Sequence, residues 1–234
     1  LSLFGADGSP TWVDEIRLVE PNRLGVLLQE TAPEDVAKQV AESLRQRLAE
    51  LAAESETNLR PSTGQLPRYP GVTDKSIWVV AENTSKGLAP VTFELLGKAR
   101  ELTDFTKSEV VAVLISPPKE STISELVSYG ADRVLVLDNS RLGPVYGLAV
   151  SATLIAAVAK ETPYAVLFAS TADGGDLASR LAAKLGLGLT GDAINLEIDS
   201  EGRLVQLKPA LGGNVVAPIL SKTLPNLVTL RPGM

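Results

Sequence analysis

The sequence contains neither histidine nor cysteine. Without histidine there is no Ser-His-Asp triad, no imidazole general base and no histidine-bearing zinc site within the chain. Without cysteine there are no disulfides, thiolate nucleophiles, iron-sulfur ligands or cysteine zinc sites. Long hydrophobic runs are missing as well. The longest, Gly147 to Ala159, is interrupted by Ser151 and Thr153 and falls short of the roughly 20 apolar residues that a spanning helix needs, so membrane insertion is not expected. No basic amino-terminal segment with an apolar centre marks a signal peptide. Lys and Arg are outnumbered by Asp and Glu, 22 to 28, and are dispersed among them. A net charge of -6 without basic clusters argues against a nucleic-acid surface.

What remains is the composition of a soluble protein. Its 234 residues are 44% hydrophobic and 21% charged, enough for one or two domains with a substantial core. Near the amino terminus, residues 12–19 and 24–29 are strand-like, broken by Pro21 and Gly25. Thr31-Ala32-Pro33-Glu34 then has capping-box spacing, with Pro33 in the first turn. Val36, Val40, Leu44, Leu48 and Leu51 follow at helical spacing, opposed by Lys38, Glu42, Arg45 and Glu50. Such a helix wants a partner surface. Residues 54–76 crowd Ser, Thr, Pro and Gly between polar residues and read as a linker.

From Ser76 onward strand and helix alternate. Apolar runs at 77–81, 110–115, 134–137 and 165–169 are separated and followed by helical patterns at 91–102, 122–129, 146–160 and 176–186. Four such units predict an α/β fold with a parallel sheet flanked by helices, because crossover helices return the chain in the same direction. After Asp192 the rhythm changes to strands alone, at 194–198, 203–208, 215–220 and 227–230. Ser200-Glu201-Gly202 reads as a hairpin turn and Gly212-Gly213-Asn214 as another. An antiparallel β extension of the parallel sheet is their expected place.

The segment with the best claim to chemistry is Ser170-Thr171-Ala172-Asp173-Gly174-Gly175-Asp176, which leaves a buried strand and opens a helix. Helix amides at the carboxyl edge of a parallel sheet commonly hold phosphate, making Ser170, Thr171, Gly174 and Gly175 weak cleft candidates. A structural reading competes and is preferred. Asp176 or Ser170 caps the helix, the glycines permit close strand-helix packing, and two aspartates repel phosphate. Arg180 is expected to be either a solvated charge or the partner of a nearby carboxylate such as Asp176, at i,i+4. Arg231, before Pro232, is expected either to form an inter-domain salt bridge or to stand in solvent. No other catalytic or metal-ligating set stands out: there is no dense carboxylate cluster for a metal.

Taken in order, Asp173-Gly174-Gly175-Asp176-Leu177-Ala178-Ser179-Arg180, Gly188-Leu189-Thr190-Gly191-Asp192, Pro209-Ala210-Leu211-Gly212-Gly213-Asn214 and Arg231-Pro232-Gly233 resemble the amino-terminal domain of the electron transfer flavoprotein alpha subunit, over residues 77–234. Gly175 and Ser179 depart from that family's pattern. Gly8-Ser9-Pro10-Thr11-Trp12-Val13, Arg23-Leu24-Gly25 and the helix after Pro33 look like the carboxyl-terminal tail of the same flavoprotein's beta subunit. The organisation this implies is a beta-like arm at 1–53, a linker at 54–76 and an alpha-like head at 77–234. That order would follow from fusing neighbouring genes. The start at Leu1 and the stop at Met234, where the alpha family continues into its FAD domain, are expected of a fragment.

The resemblance implies a nucleotide-binding architecture of the adenine nucleotide alpha hydrolase-like kind, with FAD in the complete flavoprotein, none on this chain, and any AMP elsewhere in the complex. It implies an electron carrier component rather than a catalyst. Expected partners are the remainder of the flavoprotein (FAD domain and beta core) or a second copy of this chain, together with flavin dehydrogenases. The cytoplasm of a prokaryote or the mitochondrial matrix is the expected location. Trp12, Leu44, Leu48 and Arg231 are the expected interface residues, whereas Trp78 reads as core and not as a flavin-stacking side chain. The alternative is a stand-alone adenine-nucleotide-binding module using the cleft at Gly174-Gly175.

Overall fold

A computed structural model describes residues 11–13, 17–18, 33–58, 75–115, 117, 119–137, 146–210 and 215–233. The expectations at 24–29, Thr31, most of the linker and Gly212-Gly213-Asn214 lie outside the described residues. The chain divides into two compact units, one of residues 1–19 with 66–234 and the other of residues 20–65.

The second unit contains helix α1 (Pro33–Asn58), which at 1.5 Å per residue is about 39 Å long. It takes in residues 54–58, expected in the linker, because Ala52, Ala53 and Glu54 continue a good helix-forming sequence beyond Leu51. Val40 and Leu44 on its apolar stripe are 45% and 58% exposed.

The first unit is built on a six-stranded sheet of order β7-β6-β3-β8-β13-β9. Its strands are β3 (Ile77–Ala81), β6 (Val110–Leu114), β7 (Arg133–Val136), β8 (Ala165–Ala169), β9 (Leu189–Ala193) and β13 (Asn226–Leu230), and all their pairings are parallel. Four helices follow the sequence pattern: α2 (Pro90–Thr106), α3 (Glu120–Ser128), α4 (Tyr146–Glu161) and α5 (Ala172–Leu185). The central strands read as continuous apolar runs because both sheet faces are covered. Ile77, Val79, Val110 and Leu167 pack on one face with Leu95 and Leu102 of α2. Trp78, Val80, Val111 and Phe168 pack on the other with Leu154 of α4 and Leu181 of α5. Trp78 is fully buried, its indole N–H donating to Ser76 Oγ at 2.9 Å, as a core aromatic with a polar handle must.

The carboxyl-terminal strands depart from expectation. They do not form one antiparallel extension, since β13 inserts between β8 and β9 in the parallel sheet. Every residue from Asn226 to Leu230 is buried, and a strand buried on both faces belongs inside a covered parallel sheet. The remaining strands, β10 (Asn195–Ile198), β11 (Leu204–Ala210) and β12 (Val215–Ser221), form a separate antiparallel sheet. The expected hairpin joins β10 to β11. Asp199 Oδ1 accepts from the amides of Glu201 and Arg203, and Gly202 takes φ 76°, open to glycine without steric cost.

This second sheet also contains the start of the chain. β1 (Thr11–Val13) and β2 (Arg17–Leu18) both pair antiparallel with β12. The two short strands of the expected arm therefore lie on the same chain's own head. A two-stranded hairpin, β4 (Asn83–Thr84) with β5 (Gly87–Leu88), links β3 to α2. Among the described residues no helix is long and apolar enough to cross a membrane.

Candidate functional site

From β3 the chain runs outward to β6 and β7, then returns to β8 on the other side of β3. The order reverses between β3 and β8, and ligands of open α/β sheets bind at the carboxyl ends of strands flanking such a reversal. The backbone opens a crevice there. β3 pairs with β8 only as far as Val79↔Leu167, while its pairing with β6 continues to Ala81↔Leu114. The result is a cavity of about 130 Å³ with Ile115, Phe168 and Leu177 on its apolar side and Glu82, Asp173 and Asp176 on its polar side.

Thr171 and not Asp176 or Ser170 caps the helix at this crevice. Its hydroxyl oxygen accepts from Gly174 N–H at 3.1 Å, so α5 starts four residues earlier than its apolar periodicity suggests. Gly174-Gly175 made the first turn read as loop, yet orphan amides there have a side-chain partner and glycine costs little at a helix end. The Thr171 hydroxyl also donates to the Glu82 carboxylate. Glu82 is itself held through its backbone, its carbonyl accepting from Ala89 N–H at 2.8 Å and its amide donating to Thr92 Oγ1 at 3.0 Å. Of these two glycines, packing requires Gly174 and not Gly175. A Cβ on Gly174 would stand 2.2 Å from the Ala169 carbonyl and 2.9 Å from Glu82 Oε1, whereas one on Gly175 would meet nothing within 4 Å.

The charges decide what the crevice accepts. Glu82 is a carboxylate of the chain's own placed at the positive end of α5, where a ligand phosphate would lie in a nucleotide-binding relative of this architecture. With Asp173 and Asp176 at the same mouth, the residues present do not fit a phosphate or pyrophosphate group. Ser170, Thr171, Gly174 and Gly175 are adjacent in space but do not act together. Ser170 turns away, donating to Asp192 Oδ1 at 3.1 Å.

Asp192 centres a second cluster on the same sheet edge. Arg231 Nε donates to its Oδ1 at 2.8 Å, Thr229 Oγ1 accepts from its amide at 2.8 Å, and Arg231 N–H donates to the Ala193 carbonyl at 2.9 Å. The Arg231 hydrogen bonds hold the Asp192 carboxyl below the usual range; slight burial opposes them, while Ser170 and the Lys208 charge assist. Asp192 adopts φ 65°, a conformation Asp and Asn tolerate better than most residues. Arg231 is thus paired with Asp192 within its own unit while remaining half-exposed. Beyond it, Gly233 N–H donates to Glu94 Oε2 at 2.6 Å. Of the two expected roles Arg180 takes the second, pairing with Asp176 2.7 Å away. Trp12 pairs with Leu220 through β1, and Leu44 lies exposed on α1 in the other unit.

Sequence reasoning missed Glu82 and the Ser170–Asp192–Arg231 link. Glu82 had one legible signal, its position immediately after a buried strand, and Thr171 had cap spacing to Gly174. The pairing of Asp192 with Arg231 joins residues far apart in sequence and left no local trace. Among the described residues no group of acidic side chains is arranged to hold a metal ion.

Fold and crevice together define a doubly wound α/β domain whose switch point carries its own carboxylate in place of a phosphate cradle. Residues 77–234 match the electron transfer flavoprotein domain family, and the chain belongs to it. Among curated proteins it is 42% identical to the electron transfer flavoprotein subunit alpha of Thermoanaerobacterium thermosaccharolyticum, over 68% of this chain and 49% of that protein. It is 38% identical to the corresponding subunit of Clostridium acetobutylicum, over 68% of this chain and 48% of that one. A third relative, the Acetobacterium woodii lactate dehydrogenase (NAD(+),ferredoxin) subunit LctC, is 36% identical over 68% of this chain and 39% of its own length. The chain therefore spans about half the length of the curated relatives it matches, or less.

Proposed function

We propose that this chain is part of an electron transfer flavoprotein, in which its head supplies scaffold and subunit contacts while FAD is held by other parts of the complex. The observation that carries the reading is the coincidence of the family match, residues 77–234, with an α/β body whose crevice at the switch point is lined by Glu82, Asp173 and Asp176. In the assembled protein the isoalloxazine of FAD would carry electrons from flavin dehydrogenases to an acceptor. The role of this chain is to bind and orient partner domains, as an electron carrier component and not a catalyst. Trp12, Leu44, Leu48 and Arg231 are the residues assigned to those contacts. The exposed face of α1, bearing Leu44, is the part of the arm-like segment offered to the rest of the flavoprotein, including its beta core. The cytoplasm of a prokaryote or the mitochondrial matrix suits this role.

The test is flavin absorbance after the purified chain is mixed with excess FAD and freed of unbound ligand. The isolated chain should retain no equimolar flavin, and should co-purify with it once the flavin-binding half of a relative and a beta subunit are supplied. An equimolar yellow complex of this chain alone would overturn the reading. The adenine-nucleotide-module alternative has its own arm of the experiment. AMP titrated calorimetrically should bind no better than about millimolar, near -4 kcal/mol, and micromolar binding abolished by Gly175→Glu would favour that alternative.

A further inference from the structure

The amino-terminal strands reach the head by an indirect path. Residues 1–19 cluster with 66–234, while residues 20–65 form a compact unit of their own between them in sequence. Two pieces of the same antiparallel sheet are thus joined only through a separate body. The contacts themselves are few and regular. Thr11↔Ser221, Trp12↔Leu220 and Val13↔Ile219 form one short ladder, and Arg17↔Val216 and Leu18↔Val215 a second. On β12 itself, Pro218 stands between the two ladders and has no amide proton to donate.

On its other side β12 pairs with β11 from Gln206↔Ile219 to Ala210↔Val215. Val215, Val216, Ala217 and Leu220 are all buried. Removing the arm would leave a row of unpaired backbone groups along apolar residues, an edge that templates pairing with another strand. We propose that this edge of β12 is a strand-acceptor site and that the strands Thr11–Val13 and Arg17–Leu18 are an exchangeable ligand for it, which a second copy of this chain can supply in place of the chain's own. Strand exchange between copies reproduces every contact of the intramolecular arrangement. What separates the two is the effective concentration of the tethered segment, about millimolar for flexible tethers, because the contact free energy is common to both. The inference rests on strand pairing and chain path and is independent of any flavin-related role.

The experiment uses the full chain carrying Trp12→Pro and Val13→Pro, which removes donors from β1 and leaves β12 unaltered. A fluorescently labelled peptide of residues 8–20 is titrated into it and into the unaltered chain, with anisotropy as the readout and circular dichroism to follow the head. The variant should bind the peptide at least about tenfold more tightly than the unaltered chain, and the peptide should restore hydrogen-exchange protection to β12. The unaltered chain refolded near millimolar concentration should yield a species of twice the 24.7 kDa chain mass, absent when it is refolded near micromolar concentration. Equal peptide binding by both chains, or binding by neither with the head folded, overturns the acceptor site. Peptide capture without any dimer near millimolar overturns the assignment to a second copy. Should the proline variant fail to fold, the full chain cut at a protease site inserted after Gly25 replaces it. That cut chain should exchange its own segment for the labelled peptide, and retention of the original segment against excess peptide overturns the proposal equally.

Discussion

Gly174 and Gly175 are neighbours of one type with opposite structural demands. A methyl group at Gly174 would clash with the Ala169 carbonyl, a backbone atom that cannot rotate away, while one at Gly175 would enter open space. Gly174→Ala should therefore cost about 2 kcal/mol through overpacking, and Gly175→Ala should stabilise the helix by about 0.5 kcal/mol through reduced chain entropy; urea unfolding of the two variants gives the comparison. Asp192 makes a different prediction. A carboxyl whose folded pKa lies below its unfolded value, about 3.9, contributes stability that is complete above the unfolded pKa and is lost as pH falls through the folded one. Asp192 is lowered chiefly by Arg231. Asp192→Asn retains a side chain suited to φ 65° but has no charge to lose. Its melting temperature should be below that of the parent at pH 7, and the gap should close on acidification below about pH 4.

At the scale of the element, α5 is organised by its amino terminus. Thr171 joins the cap to the residue that follows β3, accepting from Gly174 N–H and donating to Glu82. Thr171→Ala should lower stability by about 1 kcal/mol, and Thr171→Ser should restore most of it, read from denaturation midpoints at constant m-value. The helix bodies were legible, since Leu95, Leu96, Ala99 and Leu102 of α2 recur at helical spacing and are all buried. Their amino-terminal boundaries were less so, because a cap depends on which side chain turns back toward an amide. Strand β9, Leu-Thr-Gly-Asp-Ala, escaped detection because little in it favours a strand before β13 lies alongside.

For the whole molecule, the division into two units bears on assembly. Leu44 lies on α1 within residues 20–65, outside the body that contains the parallel sheet. Substituting Leu44 and Leu48 together by Asp should weaken assembly with the rest of a flavoprotein, or between copies, while the α/β head keeps its far-ultraviolet spectrum and unfolding midpoint. Cooperative loss of the head with no change in oligomeric state would instead make the helix part of the head's own core. Apolar stripes of this kind favour association when uncovered, which is why analytical ultracentrifugation beside thermal melting separates the two outcomes.

The sequence by itself determined the chemistry that is excluded, the alternation of buried strands with amphipathic helices and hence a parallel sheet, and the ordered motifs around Asp176, Asp192 and Arg231 that place the chain in its family. Those features are local: side-chain inventory, hydrophobic period and short spacing are all written within a few residues. Only the tertiary structure decided that β13 enters the parallel sheet, that β1 and β2 pair with β12, that Arg231 is held by Asp192, and that Glu82 stands where a phosphate would need to lie. Each of these joins positions distant along the chain, and the free energy that selects them, burial on both faces of a sheet or a carboxylate set at a helix end, exists only once the partners have been brought together.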